Sequence, residues 1–474
     1  MGLRGRRILG VSTGIVLGAA LVLALAALAR AGVQTSASWT PKHGLPFSEP
    51  RRIVSSGGVL TAKLVASERQ VRVSGDTVKA RVYNDAFTGP TLQVHPGDTM
   101  RITLVNHLSR PTNLHVHGLH VSPGGFADNV FREVKPGDTA HYVIHLPADS
   151  ASGLYWYHSH MHHLSEQQVF GGLSGMIVVD GIKQFLPPAL KSIGEREFAL
   201  RDLQVANGEV KRGSINPDAP TTRVVNNLVD PTLSMRPGQT QLWRFANIGA
   251  DVFYKLRLGG HVFHVVAEDG RPVWKVWSAQ TLVLPPGKRY EVLVQASSRG
   301  TYRLKTLRYN GGAGFATFPE RTLATLTVKG TPVQRATLPT AFGPKEDLST
   351  VHVDRSRKEV FSTPLFGPFT INGKAFSPSR VDVQAKLGTV EQWTLVNASP
   401  MVHPFHIHTN YFQVMSVGGR PYHAKGRQDT VILPVNTTVV IRIEFEDFVG
   451  KTVFHCHILN HEDRGMMAVI KISK

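Results

Sequence analysis

Beyond residue 32 the chain shows little 3.6-residue periodicity. The stretches TMRITLVNHL, AHYVIHL, YEVLVQA, EQWTLVNA and VVIRIEFE alternate apolar with polar residues, and clusters of Gly or Pro separate them. Alternation with period two marks a half-buried strand, and many short strands between turns predict an all-β sandwich or barrel. The pattern also recurs. HPGDTMRITLVN ends at Asn106, RPGQTQLWRFAN at Asn247 and AKLGTVEQWTLVN at Asn397, with Gly97, Gly238 and Gly388 each nine residues before the asparagine. A second turn-plus-strand follows in every unit: KPGDTAHYVIHL, PPGKRYEVLVQA and LPVNTTVVIRIEF. The units lie 141 and 150 residues apart, which is domain spacing; a solenoid would repeat far sooner. The reading is three copies of one β-domain, over 32–184, 185–330 and 331–474, with linkers near 182–198 and 329–365.

Residues 1–31 follow another pattern. MGLRGRR precedes an uncharged apolar run from Ile8 to Ala29, as in an export signal or an N-terminal membrane anchor. Ala29-Arg30-Ala31 offers a small-x-small cleavage site. The run is also long enough to span a bilayer, so cleavage and anchoring both fit. The paired Arg6-Arg7 points to twin-arginine export. The expected location is extracytoplasmic: periplasmic, secreted or anchored facing outward.

Composition narrows the partners. The formal charge is +19, and still +15 once the leader's four arginines are set aside. No basic run with interleaved aromatics occurs, so the excess reads as a solvated basic surface and nucleic acid is not an expected partner. The single cysteine excludes an intramolecular disulfide framework.

That cysteine, Cys456, sits in HCHILNHEDRGMM among the most chemically loaded residues of the chain. The 22 histidines cluster. NLHVHGLH carries His115 and His117, GLYWYHSHMHH carries His158 and His160, MVHPFHIH carries His403, His406 and His408, and the cysteine stretch carries His455, His457 and His461. Residues two apart on a strand share a face. The pairs 115/117, 158/160, 406/408 and 455/457 therefore present eight imidazoles, too many for one ion and suited to three. His403, Cys456, His461 and Met466 remain: two imidazoles, a thiolate and a thioether, the donor set of an electron-transfer copper. Cys456 faces away from its two neighbours, so it joins one site while they reach the other. Structural zinc closes with four ligands and has no use for eight histidines. His120, His162 and His163 read as solvated or supporting residues.

HVHG, WYHSH, HPFHIH and HCHILNHEDRGM resemble the motifs of three-domain multicopper oxidases, the family of laccases, bilirubin oxidases and cuprous oxidases. The resemblance covers nearly all of the chain after the leader. It implies three cupredoxin-like Greek-key β-barrels and four copper ions. By motif, His115 and His406 would hold type 2 copper. His117, His158, His160, His408, His455 and His457 would hold the type 3 pair, and His403, Cys456, His461 and Met466 type 1. It further implies one-electron oxidation of a reductant at type 1, coupled to four-electron reduction of O2 to water at the trinuclear cluster. Glu462 matches the family's proton-relay position, and Asp128 matches a second one more loosely, across a loop of different length. In the middle repeat HVFHVVAEDGRPV aligns with NYFQVMSVGGRPY, which sets Tyr254, Arg257 and Gly259 opposite His403, His406 and His408. That repeat is expected to bind no copper and to act as a spacer, with structural roles for His261 and His264.

Phenols and aromatic amines are the expected reductants, with Cu+, Fe2+ or Mn2+ as the alternative. The cuprous oxidases carry a methionine-rich insert and an acid before HPFHIH. This chain has nine Met in all, and VNASPMV, 396–402, holds no carboxylate. A copper-free exported scaffold would have lost ligands that are all present here. A two-domain nitrite reductase needs fewer repeats and fewer histidines.

Overall fold

The computed structural model describes residues 39–211, 221–313 and 317–474; the leader, with its paired arginines, apolar run and cleavage site, lies outside them. Among the described residues no helix is long and apolar enough to cross a membrane.

The five alternating stretches all form strands: Thr99–Asn106, Thr139–His145, Arg289–Gln295, Thr389–Asn397 and Thr438–Phe445. They belong to three pairs of sheets, each with a six-stranded and a five-stranded member. Each pair closes on its own apolar core. Ile102, Tyr155 and Ile177 meet in the first, Trp243, Phe245 and Leu304 in the second, and Trp393, Phe405 and Phe454 in the third. The all-β expectation holds, and the three units share one plan.

The repeated asparagine has a mechanical reason. Gly97, Gly238 and Gly388 hold φ of +85°, +80° and +79°, where glycine avoids the strain of a Cβ. Each turn launches a strand that ends on the buried asparagine. Asn106 Nδ2 donates to the carbonyls of Arg110 (3.0 Å) and Val134 (2.8 Å). Asn247 donates to Val252 (2.8 Å) and Leu284 (3.0 Å), and Asn397 to Met401 (2.8 Å) and Leu433 (3.1 Å). The side chain thus staples the strand end to the loop that opens the other sheet of the barrel.

Three sequence readings need correction. Strand Glu195–Leu203 begins inside the expected linker at 182–198, and Arg355–Ser362 occupies the end of that at 329–365. Their charges hid them, but each pairs in parallel with the asparagine strand of its unit, as Val59–Val73 does in the first. The hairpin Val205–Ala206 and Glu209–Val210, counted by sequence with the second repeat, extends the sheet of the first through Glu209 opposite Lys79.

The histidine motifs occupy equivalent places in the first and third units. His115–His117 pairs antiparallel with Gly153–His158, setting His115 opposite His158. His403–Ile407 pairs antiparallel with Gly450–Cys456, setting His406 opposite His455. In the middle unit Tyr254–Leu258 fills that place.

Asn247 touches no candidate ligand, so Asn247→Ala isolates the staple. Leaving its backbone partners unpaired should cost about 3 kcal/mol. Calorimetry should show the unfolding midpoint lowered by about 5–10 °C, and a fall under about 1 °C would show that the staple bears no load.

Candidate metal centre

The sole thiol lies at the end of strand Gly450–Cys456, fully buried. Its Sγ is 3.4 Å from His403 Nδ1 and 3.6 Å from His461 Nδ1, and those two nitrogens are 3.1 Å apart. His403 is aimed by its other nitrogen, which meets Ser399 Oγ at 2.6 Å. Ser399 is held in turn by the stapling Asn397, whose Oδ1 accepts its N–H and its hydroxyl. His461 comes from the short helix Leu459–Asp463 and stands against the ring of Phe369 at 5.0 Å. Met466 is buried in the same core, and its carbonyl accepts the Cys456 N–H at 3.1 Å.

On either side of Cys456 the chain enters the histidine cluster. His455 joins His160 and His408, whose Nε2 atoms lie 3.2 and 3.1 Å from His455 Nε2. His457 joins His117 and His158, with His457 Nε2 3.2 Å from His117 Nδ1. His115 and His406 meet with His117 in a further group. The first and third units interleave here: His115 stacks on His408 at 3.9 Å and His117 on His406 at 3.8 Å. All eight rings are buried. Burial first, and neighbouring imidazoles second, push His115, His158, His160, His408, His455 and His457 well below the usual histidine range. His117 is depressed likewise, by burial, then His406 and Arg289. Neutral imidazole is the ligating form.

Both carboxylates expected from the sequence touch this cluster. Asp128 accepts the His115 Nδ1–H at 2.9 Å and the Val116 N–H at 3.0 Å, and burial pushes its carboxyl up to about 8. Glu462 places Oε2 3.1 Å from His455 Nδ1 and Oε1 3.5 Å from His160 Nδ1. Burial, then Asp463, raise Glu462 well above the carboxylate range, against a 2.8 Å bond from the Ser165 hydroxyl.

The site also contains residues that the sequence reading missed. Asp429 Oδ1 accepts the His117 Nε2–H at 3.1 Å, and its carbonyl accepts the His406 Nδ1–H at 2.9 Å. Trp156 lies on His158 at 4.2 Å and 5.0 Å from His117, walling the cluster from the sheet beneath. Arg289 and Gly287 come from the middle repeat, so that repeat does more than space its neighbours. Gly287 (φ +86°) leaves no room for a Cβ, which would stand 3.0 Å from both His117 and His457. The motif WYHSH displayed Trp156; nothing in RQDTVIL marked Asp429.

The remaining histidines take ordinary bonds. His120 bridges the Thr409 carbonyl (2.6 Å) and Asp447 (2.9 Å). His163 donates to the Asp463 carbonyl at 2.9 Å, and His162 packs on Phe376. His261 bonds the Gly259 carbonyl and Ser297, and His264 bonds Ser278. Neither falls in a metal-competent group, and among the described residues no such group draws on 185–330.

Do these residues fit a metal? His115 Nε2, His158 Nε2 and His406 Nε2 are buried without a hydrogen-bond partner among the described residues. Orphaned buried polar atoms are costly, at about 1–3 kcal/mol each. The 3.1–3.2 Å contacts between facing nitrogens are close to the about 3.3 Å separating two imidazole nitrogens on one tetrahedral ion. A thiolate beside two imidazoles is the donor chemistry of copper. The donors fit.

Comparison with known proteins agrees. Family profiles described as multicopper oxidase match residues 65–184, 155–330 and 343–474. A multicopper oxidase of Staphylococcus aureus is 29% identical over 402 residues, covering 83% of each chain. The cell division protein FtsP of Edwardsiella tarda is 30% identical over 73% of this chain and 75% of its own. A multicopper oxidase from Campylobacter jejuni, described as a metallo-oxidase, superposes with a TM-score of 0.81 at 26% identity, over 91% of this chain and 96% of its own. With three profiles in series, the cupredoxin-like architecture and the donor clusters in agreement, the chain belongs to the multicopper oxidase family, copper oxidoreductases that use O2 as electron acceptor.

Proposed function

We propose a four-copper oxidase that takes single electrons from an aromatic reductant, a phenol or an aromatic amine, and reduces O2 to water. His403, Cys456 and His461, with Met466, hold type 1 copper. His115 and His406 hold type 2, and the triplets His117/His158/His457 and His160/His408/His455 hold the type 3 pair. The observation that carries this reading is Cys456: its side chain belongs to one donor group while the adjacent residues belong to two others. Copper, when bound, supplies one-electron chemistry at the thiolate and oxygen reduction at the histidines.

The protein residues do the rest. The main chain from Cys456 to His455 and His457 is a short covalent path between donor groups. Ser399 and Asp128 fix ring orientation at His403 and His115. The reaction consumes protons, and Glu462, whose burial favours the protonated form and which lies against two cluster histidines, is placed to deliver them. Trp156 and the stacked rings exclude bulk water.

The aromatic preference rests on the edge of His461, the ligand of the thiolate group that reaches the surface (6% exposed, against 0% for His403 and Cys456). Phe369 lies against it, beneath the guanidinium of Arg464 at 3.8 Å. The preceding loop turns Leu365 and Phe366 outward, 90% and 87% exposed. The acids following His461 turn inward: Glu462 to the cluster, Asp463 to the N–H groups of Ser165 and Glu166. Carboxylates that would collect metal ions are thus directed away from this edge. The metallo-oxidase description of the Campylobacter relative favours metal-ion oxidation as the second reading. A cell-division role, suggested by the name of the FtsP relative, leaves the complete donor set without a use. The basic, apolar leader supports action outside the cytoplasm.

Cys456→Ser should lose the visible thiolate band and at least about 10³-fold in donor oxidation, since the residue's roles as ligand and path are not separable. Retention of most activity would remove the thiolate from the mechanism. Glu462→Gln should lower kcat by about 10²–10⁴-fold with copper content and donor KM unchanged. An unaltered kcat would assign proton delivery elsewhere. Competition between a phenol panel and Cu+, Fe2+ and Mn2+ should give the higher kcat/KM for phenols; preference for one ion would establish the second reading.

A further inference from the structure

Among the described residues the middle repeat gives no ligand, yet Arg289 connects it to the histidine cluster through Asp429. Its guanidinium is fully buried and forked onto Asp429, with Nη1 donating to Oδ1 at 2.9 Å and Nη2 to Oδ2 at 2.7 Å. Nε donates to the Leu154 carbonyl at 3.1 Å, on the strand that carries His158. The adjacent Lys288 donates to Gln428 Oε1 at 2.7 Å and to the Thr430 carbonyl at 2.9 Å, so it grips the residues on both sides of Asp429. Asp269, also of the middle repeat, accepts the N–H groups of Asp429 (3.2 Å) and Thr430 (3.0 Å). Asp429 is therefore held at side chain and backbone by a repeat without ligands. The fit is tight: a Cβ on Gly118 (φ +84°) would fall 2.2 Å from Arg289 Nη2 and 2.5 Å from Asp429 Oδ2.

Asp429 in turn determines how two ligands face the cluster. An ionised carboxylate only accepts hydrogen bonds, so its contact with His117 Nε2 keeps the proton there. His117 Nδ1 is left bare, opposite His457 Nε2 at 3.2 Å. The Asp429 carbonyl does the reverse for His406, keeping the proton on Nδ1 and leaving the buried, unpaired Nε2 as the donor atom. These two rings come from different repeats, meet in one donor group with His115, and stack at 3.8 Å, and His117 belongs to a second group with His158 and His457. One residue thus sets opposite tautomers on two ligands of the centre. Residues that fix ligand tautomer in this way typically alter metal affinity about 10–100-fold when replaced.

We propose that Arg289 and Asp429 form a positioning pair through which the middle repeat sets the ligand tautomer of His117 and the pose of His406, making copper loading of the histidine groups depend on a part of the chain that holds no copper. The proposal rests on the four-copper reading above.

The test uses full-length, copper-loaded protein and two variants. In Asp429→Asn the new NH2 must face a donor, either Arg289 Nη2 or His117 Nε2, so one of the two contacts breaks. Arg289→Lys keeps the charge and loses the fork. Each protein is titrated with a copper chelator, reading the EPR signal of histidine-bound copper and the visible band of the Cys456 thiolate separately. Both variants should retain the thiolate band of the parent, whatever fall in thermal midpoint the disturbed buried ion pair brings. The histidine-bound copper should dissociate at about 10–100-fold lower chelator concentration, with altered EPR hyperfine splitting. Unchanged chelator curves and EPR parameters in both variants would overturn the pair. Parallel loss of both kinds of copper with a lowered midpoint would also overturn it, since that marks general destabilisation. If the parent protein loads the thiolate site but no histidine copper, the four-copper reading itself fails and takes the pair with it.

Discussion

The structure depends on holding eight neutral imidazoles in one dry space. Each must be stripped of water, kept unprotonated and turned so that the correct nitrogen faces inward. Burial strips the rings of water, and at His115, His117, His158, His160, His408, His455 and His457 desolvation disfavours the charged form, with neighbouring rings reinforcing it. Orientation must come from groups outside the cluster. Asp128, Asp429 and the carbonyls beside the histidines serve that purpose, each at hydrogen-bonding range from a ring.

The same demand accounts for the use of three similar barrels where two carry the clustered histidines. Histidine pairs on the first and third units stack within 4 Å, so those units must dock with little play. Asp463 of the third unit accepts the first N–H groups of helix Ser165–Gly171 in the first. From the middle unit, Arg289, Lys288 and Asp269 converge on the strand of Asp429. The short stretch 455–457 then joins the cluster to the thiolate group without any intervening side chain, and the stapling Asn397 reaches the same group through Ser399 and His403. Fold and site thus share elements at the points where geometry matters most.

Much of this was legible in the sequence because it is local and periodic. Alternation exposed strands such as Thr99–Asn106, and the spacing of Gly97 and Asn106 exposed the repeat, since each unit needs the same turn and the same staple. The His-x-His pairs declared their common face. What escaped was either charged or remote. Strand Glu195–Leu203 carries Glu197, Arg201 and Asp202 in buried positions, and Arg355–Ser362 opens on exposed charges and buries Glu359, which no local pattern reveals. Asp429 and Arg289 lie 140 residues apart, and each is an unremarkable charge until the units close on each other. Hydropathy gives no weight to Ser399, whose role depends on a bond to a ring four residues on.

The proposed oxidase must combine at the histidine cluster the electrons it takes singly at the thiolate group. The most direct test is the stoichiometry of oxygen uptake by copper-loaded protein with a one-electron donor, followed with a peroxide assay. Four donor molecules oxidised per O2, with no peroxide released, is the expected result. Two per O2 with peroxide accumulating, or oxidation that proceeds without oxygen uptake, would contradict it.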